Sequence, residues 1–364
     1  MSAAVHDVPA CFRAIPPRVR RSPLFGSTEK YLGAHHKATG DFVGEWDFSF
    51  ALRNRLGSGE HFQGAQRVGR RLVLSGGINR GAVGAVLIVI DMGSRAAHGP
   101  WALPAYAGGG FSHARPDPRD ASFHVVSVDR ERWHAGGTQA ADGIVAVPCY
   151  LPGQRSSIVA FVDFNGDAPR TLTPHLTTGG MEAKAVGLAR VRGGRRLLVV
   201  WDDERLDFYL GPPGAGPQHL TWAARLDKLD LPAEFYPRGF PRTGTYQSVN
   251  LVRDLKDEAL YLVCTRNTYK WAPYLPGSDF ADLYRLHWPD FTGRPRVAYV
   301  DSLAPPADAA GASSKQMYCY DEQCNFAGPA GIYTEAPDRM WIYAGWHWLH
   351  DGNRRFAFNE YSYV

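Results

Sequence analysis

A six-residue pattern, H-x-x-G-x-Q, occurs twice in the chain and constrains its fold more than any other feature. The two copies are His61–Gln66 and His134–Gln139. Three weaker copies end on Glu182, Asn250 and Asn325. Each copy leads into apolar runs that are separated by turn residues. A pattern that recurs along the chain in this way is typical of architectures built from repeated copies of one supersecondary unit.

The second repeat shows what that unit is. Its sequence predicts four strands, at Thr138–Asp142, Ile144–Tyr150, Ser157–Phe164 and Arg170–His175. A repeat of about 40 to 45 residues with four strands is the blade of a β-propeller. Five copies therefore predict an all-β fold, a five-bladed β-propeller with four-stranded blades. The fifth repeat lacks a last strand, and we expect an N-terminal strand over residues 45–52 to close that blade.

Length and composition agree with one large domain. We predict a single propeller over residues 31–364, preceded by an extended, proline- and arginine-containing arm over residues 1–30. The 40 basic and 36 acidic residues give a net charge of +4, which is too balanced to indicate nucleic-acid or membrane binding. The five cysteines have no CxxC spacing, so neither a disulfide framework nor a zinc site is expected. Without a secretory or membrane-spanning pattern, we expect a cytoplasmic protein.

The last residue of each six-residue copy is predicted to contribute to a ring around the propeller axis. Its members share a side-chain oxygen near the start of an innermost strand: Gln66, Gln139, Glu182, Asn250 and Asn325. Four amides and one carboxylate suit ordered water, polar contacts to a substrate, or a hard cation such as calcium. We expect no resident cofactor, with an axial calcium ion as the alternative left open.

Candidate catalytic residues lie where each repeat enters its inner strand. Glu182 is the candidate base, and His61 and His134 are candidate acids or electrophiles, because a histidine titrates near neutral pH. Asp321 or Glu322 is the candidate second carboxylate. A histidine repeated for packing between blades is the alternative interpretation.

Further contacts to a substrate are expected from the same region of the fourth repeat, at Tyr246 and Gln247, beside the amides of the ring. Insertions at 93–121, 229–244, 266–279 and 304–314 are expected to add loops, and loops on a rigid scaffold commonly carry ligand sites. The sequence contains no G-x-S-x-G, H-E-x-x-H, P-loop or dinucleotide fingerprint, which excludes the corresponding enzyme classes.

The repeats, which end in Phe356–Tyr361, resemble a bacterial five-bladed β-propeller family of mostly uncharacterised proteins over about residues 40–364. Five-bladed propellers include arabinanase-type glycosidases, calcium-dependent nucleotidases and sugar-binding lectins. The glycosidase resemblance implies carboxylates on several inner strands. Amides at four of the five ring positions argue against glycoside hydrolysis.

Two functions fit these patterns. The first is an enzyme that acts on a small organic molecule in the central funnel by acid–base chemistry, such as cyclisation, isomerisation, elimination or hydrolysis. The alternative is a non-catalytic module that binds a ligand or protein. The five copies have diverged in charge and loop length, which favours one asymmetric site and hence the enzyme. No feature of the sequence predicts an oligomeric state.

Overall fold

Apolar runs of about five to eight residues form most of the strands of this protein. The computed structural model describes residues 3–15, 34–39, 62–69, 71–78, 84–91, 123–232, 235, 246–267, 279–300, 315–317, 326, 328–334, 337–345 and 355–361. The predicted strand at 45–52 and most of the predicted insertions lie outside these residues.

Sheet 2 follows the second repeat closely. It contains β7 His134–Ala135, β8 Gln139–Ala141, β9 Ile144–Tyr150, β10 Ser157–Asp163 and β11 Arg170–Thr178. The four predicted strands of this repeat are thus confirmed to within a few residues. Asp142 and Gly143 both have positive φ, at 53° and 74°, and form the tight two-residue turn that joins β8 to β9. Every residue of β9 is buried.

Sheets 3 and 4 are built on the third and fourth repeats. Sheet 3 contains β12 Ala185–Arg190, β13 Arg196–Trp201, β14 Arg205–Leu210 and β15 Thr221–Asp227. Sheet 4 contains β16 Ser248–Asp254, β17 Leu260–Asn267, β18 Asp279–His287, β19 Arg296–Tyr299 and β20 Lys315–Met317, together with β1 Ala4–Val5. Short 3-10 turns lie at Arg192–Gly194, Pro217–His219, Lys228–Asp230 and Pro289–Phe291.

Sheet 1 combines the first and the last repeats. Its strands, in spatial order, are β2 Ala34–Thr39, β23 Arg355–Tyr361, β22 Trp341–Gly345, β21 Ala330–Tyr333, β3 Phe62–Val68, β4 Arg71–Ile78, β5 Gly84–Asp91 and β6 Phe123–Asp129. The prediction of five blades is wrong in this respect, because the described strands form four sheets.

The merger of two repeats into sheet 1 has a local cause. Strands β3 and β21 pair in parallel, with Ala330 opposite Gly64. A Cβ atom on Gly331 would overlap with the carbonyl oxygen of Ala65 and the amide of Gln66. Glycine at this position therefore lets the two inner strands approach closely enough to share a ladder.

The innermost strands of all the sheets meet along one axis, which makes the fold a β-propeller. Gly137 forms a parallel bridge with Ala185, so sheets 2 and 3 touch at their inner edges. A Cβ atom on Gly187 of β12 would lie 2.7 Å from the carbonyl oxygen of Val249 in β16. The outer strands extend away from this axis, and the space between sheets 2, 3 and 4 is filled by a large buried apolar cluster.

The N-terminal segment is not an extended arm over residues 3–15. It forms β1, which pairs in parallel with β16, and the helix α1 Val8–Ala14. Val8, Phe12 and Ile15 are fully buried and pack into a cluster shared with sheets 4 and 1. The i, i+4, i+7 spacing of these three residues is helical, but the surrounding prolines obscured it. The division into an arm and a propeller domain stays a prediction.

Asp254 holds the start of α1 in place. Its buried carboxylate accepts hydrogen bonds from the backbone N–H groups of Asp7 at 3.1 Å, Val8 at 2.8 Å and Lys256 at 2.8 Å. The Asp7 side chain in turn accepts from Ala10 N–H at 3.0 Å as an N-cap. This hydrogen bond lowers the pKa of Asp7, with a further contribution from Lys256.

An N-terminal strand does pair with the last strand of the chain. It is β2, which runs antiparallel to β23 with Ala34 opposite Glu360 and Thr39 opposite Arg355. The sequence placed this strand at 45–52, which lies outside the described residues. The pairing covers the edge of β23 that would otherwise be exposed.

Candidate functional site

Three of the five predicted ring residues meet on the axis, where their amides bind one another and the backbone. Gln139 Nε2 donates to the carbonyl oxygen of Leu251 at 2.7 Å, and Gln139 Oε1 accepts from the N–H groups of Leu188 and Leu251, each at 2.7 Å. Residues from sheets 2, 3 and 4 are therefore joined by one side chain.

Gln66 and Asn250 extend the same network. Gln66 Nε2 donates to Asn250 Oδ1 at 3.4 Å, and Gln66 Oε1 accepts from Ala140 N–H at 3.3 Å. Asn250 Nδ2 donates to the carbonyl oxygen of Thr138 at 3.2 Å. All three amide side chains are buried. At this level the amides close the axis, and their hydrogen bonds are made within the protein. Asn325 lies outside the described residues.

Glu182 does not belong to this ring. It lies in the turn between β11 and β12, three residues before β12 begins. The position next to Gln139 is held instead by Gly187 and Leu188, whose backbone approaches β16 closely. The sequence alignment of the third repeat on Glu182 is therefore wrong, because β12 carries no polar side chain toward the axis at that level.

Four chain segments converge beside Glu182, at one end of sheets 2 and 3. Gly136 N–H donates to Pro148 O at 2.9 Å, and Gly137 N–H donates to Lys184 O at 2.8 Å. Lys184 N–H donates to Trp201 O at 2.8 Å. These bonds fix the positions from which the side chains of the site project.

Tyr150 is the centre of this cluster. Its ring packs at a tilt against that of His134 with a centroid distance of 4.4 Å, and the Trp133 ring centroid lies 5.2 Å from that of His134. The side chain is only 7% exposed, yet its hydroxyl has no hydrogen-bond partner among the described residues. Burial raises the pKa of Tyr150, and the negative charges of Glu182 and then Asp203 raise it further. The phenol is consequently neutral at pH 7.

The two carboxylates whose charges act on this tyrosine, Glu182 and Asp203, are held differently. Glu182 Oε1 accepts a hydrogen bond from Gly153 N–H, and Glu182 takes part in no ion pair within the described part of the chain. Asp203 Oδ2 forms an ion pair with Lys184 Nζ. Asp203 itself has φ 76°, an uncommon backbone conformation for a residue other than glycine. Such strain is frequent at functional sites.

The predicted contact residue Tyr246 has its hydroxyl engaged elsewhere. It is fully buried, and the hydroxyl lies 2.6 Å from both Asp282 Oδ2 and the Tyr284 hydroxyl. Arg266 Nε donates to the same carboxylate oxygen at 2.7 Å. Burial raises the pKa of both tyrosines, with the charge of Asp282 as the next cause. The network is a closed polar cluster inside sheet 4.

The remaining predicted residues divide into two groups. Gln247 is half-buried, and its N–H donates to Thr265 O at 3.1 Å, so its backbone joins the inner edge of sheet 4. His61, Asp321 and Glu322 lie outside the described residues. The structure thus places His134 against the Tyr150 ring, and Glu182 near enough for its charge to raise the pKa of Tyr150.

Sequence reasoning missed Tyr150, Lys184 and Asp203. Tyr150 is the last residue of a predicted strand, and Asp203 lies two residues after Trp201, the last residue of β13. The signal in the sequence that could have identified them is a polar residue at the end of a strand in each of two consecutive repeats. This signal is weak, because most strands end in a polar residue.

In the described ranges, no group of three or more His, Cys, Asp or Glu side chains is placed to hold a metal ion. The axial oxygens of Gln66, Gln139 and Asn250 already accept hydrogen bonds within the protein. The expectation of no resident cofactor, with an axial calcium ion as the open alternative, stays a prediction. None of the helices described is long and apolar enough to cross a membrane.

Comparisons with known proteins give no family. No family model matches the chain, and no curated protein matches it. Solved structures that match include a xylan β-1,4-xylosidase from Bacillus halodurans (TM-score 0.42, 12% identity), covering 82% of this chain and 52% of that one. The match to a Trypanosoma rangeli sialidase has a TM-score of 0.37 and 11% identity, and it covers 84% of this chain and 46% of the sialidase. The match to an exo-1,5-α-L-arabinanase from a bovine ruminal metagenomic library has a TM-score of 0.40 and 9% identity, and it covers 83% of this chain and 92% of the arabinanase.

The chain spans about half the length of the xylosidase and of the sialidase. All three TM-scores are below 0.5 and all three identities are below 25%, so these likenesses carry no argument about activity. The propeller assignment rests on the strand topology, and the resemblance to an uncharacterised bacterial family stays a prediction.

Proposed function

We propose that this protein is an enzyme that acts on a small polar organic molecule by acid–base chemistry at the Tyr150 cluster. The observation that carries the proposal is the hydroxyl of a buried tyrosine that lacks a partner among the described residues, in a cluster that also holds the carboxylates of Glu182 and Asp203. A buried titratable group with a perturbed pKa that lies among polar side chains from separate chain segments is typical of active sites.

The roles follow from the state of each group. Glu182 is the general base, because its carboxylate forms no ion pair in the described ranges and accepts one hydrogen bond there, which leaves an oxygen free to take a proton. Tyr150 is the hydrogen-bond donor to a developing oxyanion or leaving group, since its raised pKa keeps the phenol protonated. His134 packs against the tyrosine ring and fixes its orientation. This pair of groups suits cyclisation, isomerisation, elimination or hydrolysis.

Glycoside hydrolysis fits the described strands poorly. Retaining and inverting glycosidases use two carboxyl groups across the scissile bond. Within the described residues of the inner strands β3, β7, β8, β12, β16 and β21, the one carboxylate is Asp254, and it is occupied at the start of α1. The chemistry is therefore assigned to the Tyr150 cluster.

The test compares Glu182→Gln and Tyr150→Phe with Glu204→Gln. Glu204 is a matched control, because it lies next to Asp203 but its side chain is 69% exposed and pairs with Arg155 at the surface. Turnover is measured on a panel of chromogenic esters, lactones and β-elimination substrates, and folding is checked by circular dichroism. We expect kcat/KM to fall at least about 100-fold in both site variants and less than twofold in the control.

Equal turnover in Glu182→Gln and Glu204→Gln, with both variants folded, would refute the assignment. A ligand that binds the cluster and is recovered unchanged would instead support the non-catalytic binding module. A binding module would use the same side chains to hold its ligand but would need no general base.

A further inference from the structure

The Tyr150 cluster has an excess of hydrogen-bond acceptors. Asp203 Oδ1 is a buried carboxylate oxygen with no partner in the part of the chain that the structure describes. The Tyr150 hydroxyl is likewise unpartnered there, and Glu182 receives one hydrogen bond, from Gly153 to its Oε1 atom. A buried carboxylate oxygen without a donor is costly, so its persistence points to a ligand that supplies N–H or O–H groups.

The charges at the cluster have the same implication. Glu182 and Asp203 contribute two negative charges, and Lys184, bound to Asp203, contributes one positive charge. The sum is one uncompensated negative charge beside Tyr150, which is only 7% exposed. A negatively charged ligand would therefore be repelled. A ligand with a single positive charge neutralises the cluster.

We infer that the site takes a substrate that carries a primary ammonium group. An ammonium group has three N–H donors and no acceptor, so it can donate to Asp203 Oδ1 and to the Glu182 carboxylate, both of which lack a full set of donors among the described residues. The Trp133 ring, partly exposed beside His134, offers an aromatic surface to the carbon chain or to the cation itself. This inference rests on the proposed function of the same site and adds the class of substrate.

The experiment uses three probes that differ in one group. Benzylamine, benzyl alcohol and benzoate share a ring but present an ammonium, a neutral hydroxyl and a carboxylate at pH 7. Their dissociation constants are measured on the full chain by ligand-detected NMR. We expect benzylamine to bind at least about tenfold more tightly than benzyl alcohol, with benzoate weakest.

Variants connect that preference to the named residues. Glu182→Gln and Asp203→Asn should each weaken benzylamine binding at least about tenfold and leave benzyl alcohol within threefold, whereas Glu204→Gln should change neither by more than twofold. Two site variants are used so that a folding defect in one does not decide the result. An equal loss in the Glu204 control would overturn the inference, because long-range charge alone would then explain the preference.

The outcomes separate this inference from the proposed function. If benzyl alcohol binds as tightly as benzylamine while Glu182→Gln abolishes turnover, the ammonium class is wrong and the enzyme stands. If benzylamine binding depends on Glu182 and Asp203 but no panel substrate, including esters and lactones that carry a primary ammonium group, is turned over by the wild-type protein, the ammonium class is upheld and the enzyme assignment fails.

Discussion

Replacing Gln139 by methionine tests whether the axial amides hold the propeller together. Methionine keeps about the same volume but offers neither an N–H donor nor a strong acceptor. Three buried backbone groups then lose their partner: the N–H groups of Leu188 and Leu251 and the carbonyl of Leu251. An unsatisfied buried group costs about 1–3 kcal/mol, so the three together should cost about 3–9 kcal/mol.

That loss is a large share of the about 5–15 kcal/mol by which domains are usually stable. The assay is urea unfolding monitored by tryptophan fluorescence. The m value, which is the slope of the free energy of unfolding against urea concentration, is compared between the variant and the wild-type protein. Gln154→Met is the control, because Gln154 is exposed and should change the free energy of unfolding by no more than about 0.5 kcal/mol. A loss of less than about 1 kcal/mol in Gln139→Met would refute the reasoning, since the axial groups would then have found other partners.

Two further predictions concern stability. Asp254→Ala should lower the free energy of unfolding by about 2–4 kcal/mol, because it leaves the backbone N–H groups at the start of α1 without an acceptor. Asp257→Ala is the control in the same urea assay and should have little effect, because the Asp257 side chain is half exposed. Burial raises the pKa of Tyr246 and Tyr284, so the folded state holds those protons more tightly and stability should fall as pH rises above about 10, by about 1.4 kcal/mol per pH unit for each. Phenolate absorbance that titrates all 17 tyrosines together near pH 10, in folded protein, would contradict the second prediction.

The catalytic candidates were only partly accessible to sequence reasoning. His134 was chosen because its pattern repeats, and the structure places it against Tyr150. Glu182 was chosen through an alignment that the structure does not support, yet it lies in the same cluster. Neither Asp203 nor Lys184 is part of a repeated pattern. Their position depends on how the turns of sheets 2 and 3 meet, and that contact joins segments about 20 to 50 residues apart.

The sequence by itself determined the four strands of the second repeat. Their apolar runs and their turns, such as Asp142–Gly143, act over a few residues, and local preferences are readable without tertiary contacts. It also placed Gln139 on an inner strand. Tertiary structure alone decided that this amide spans the axis to bind Leu188 and Leu251, because those partners lie 49 and 112 residues away.

The joining of the first and last repeats into sheet 1 was also decided by tertiary structure. It depends on Gly331 meeting Ala65, a contact between the two halves of the chain that no local pattern encodes. The same holds for α1, whose short apolar stripe becomes a stable helix because Asp254 and the cluster between sheets 4 and 1 receive it. Seven residues are too few to form a helix unaided in water, so packing rather than propensity decided its structure.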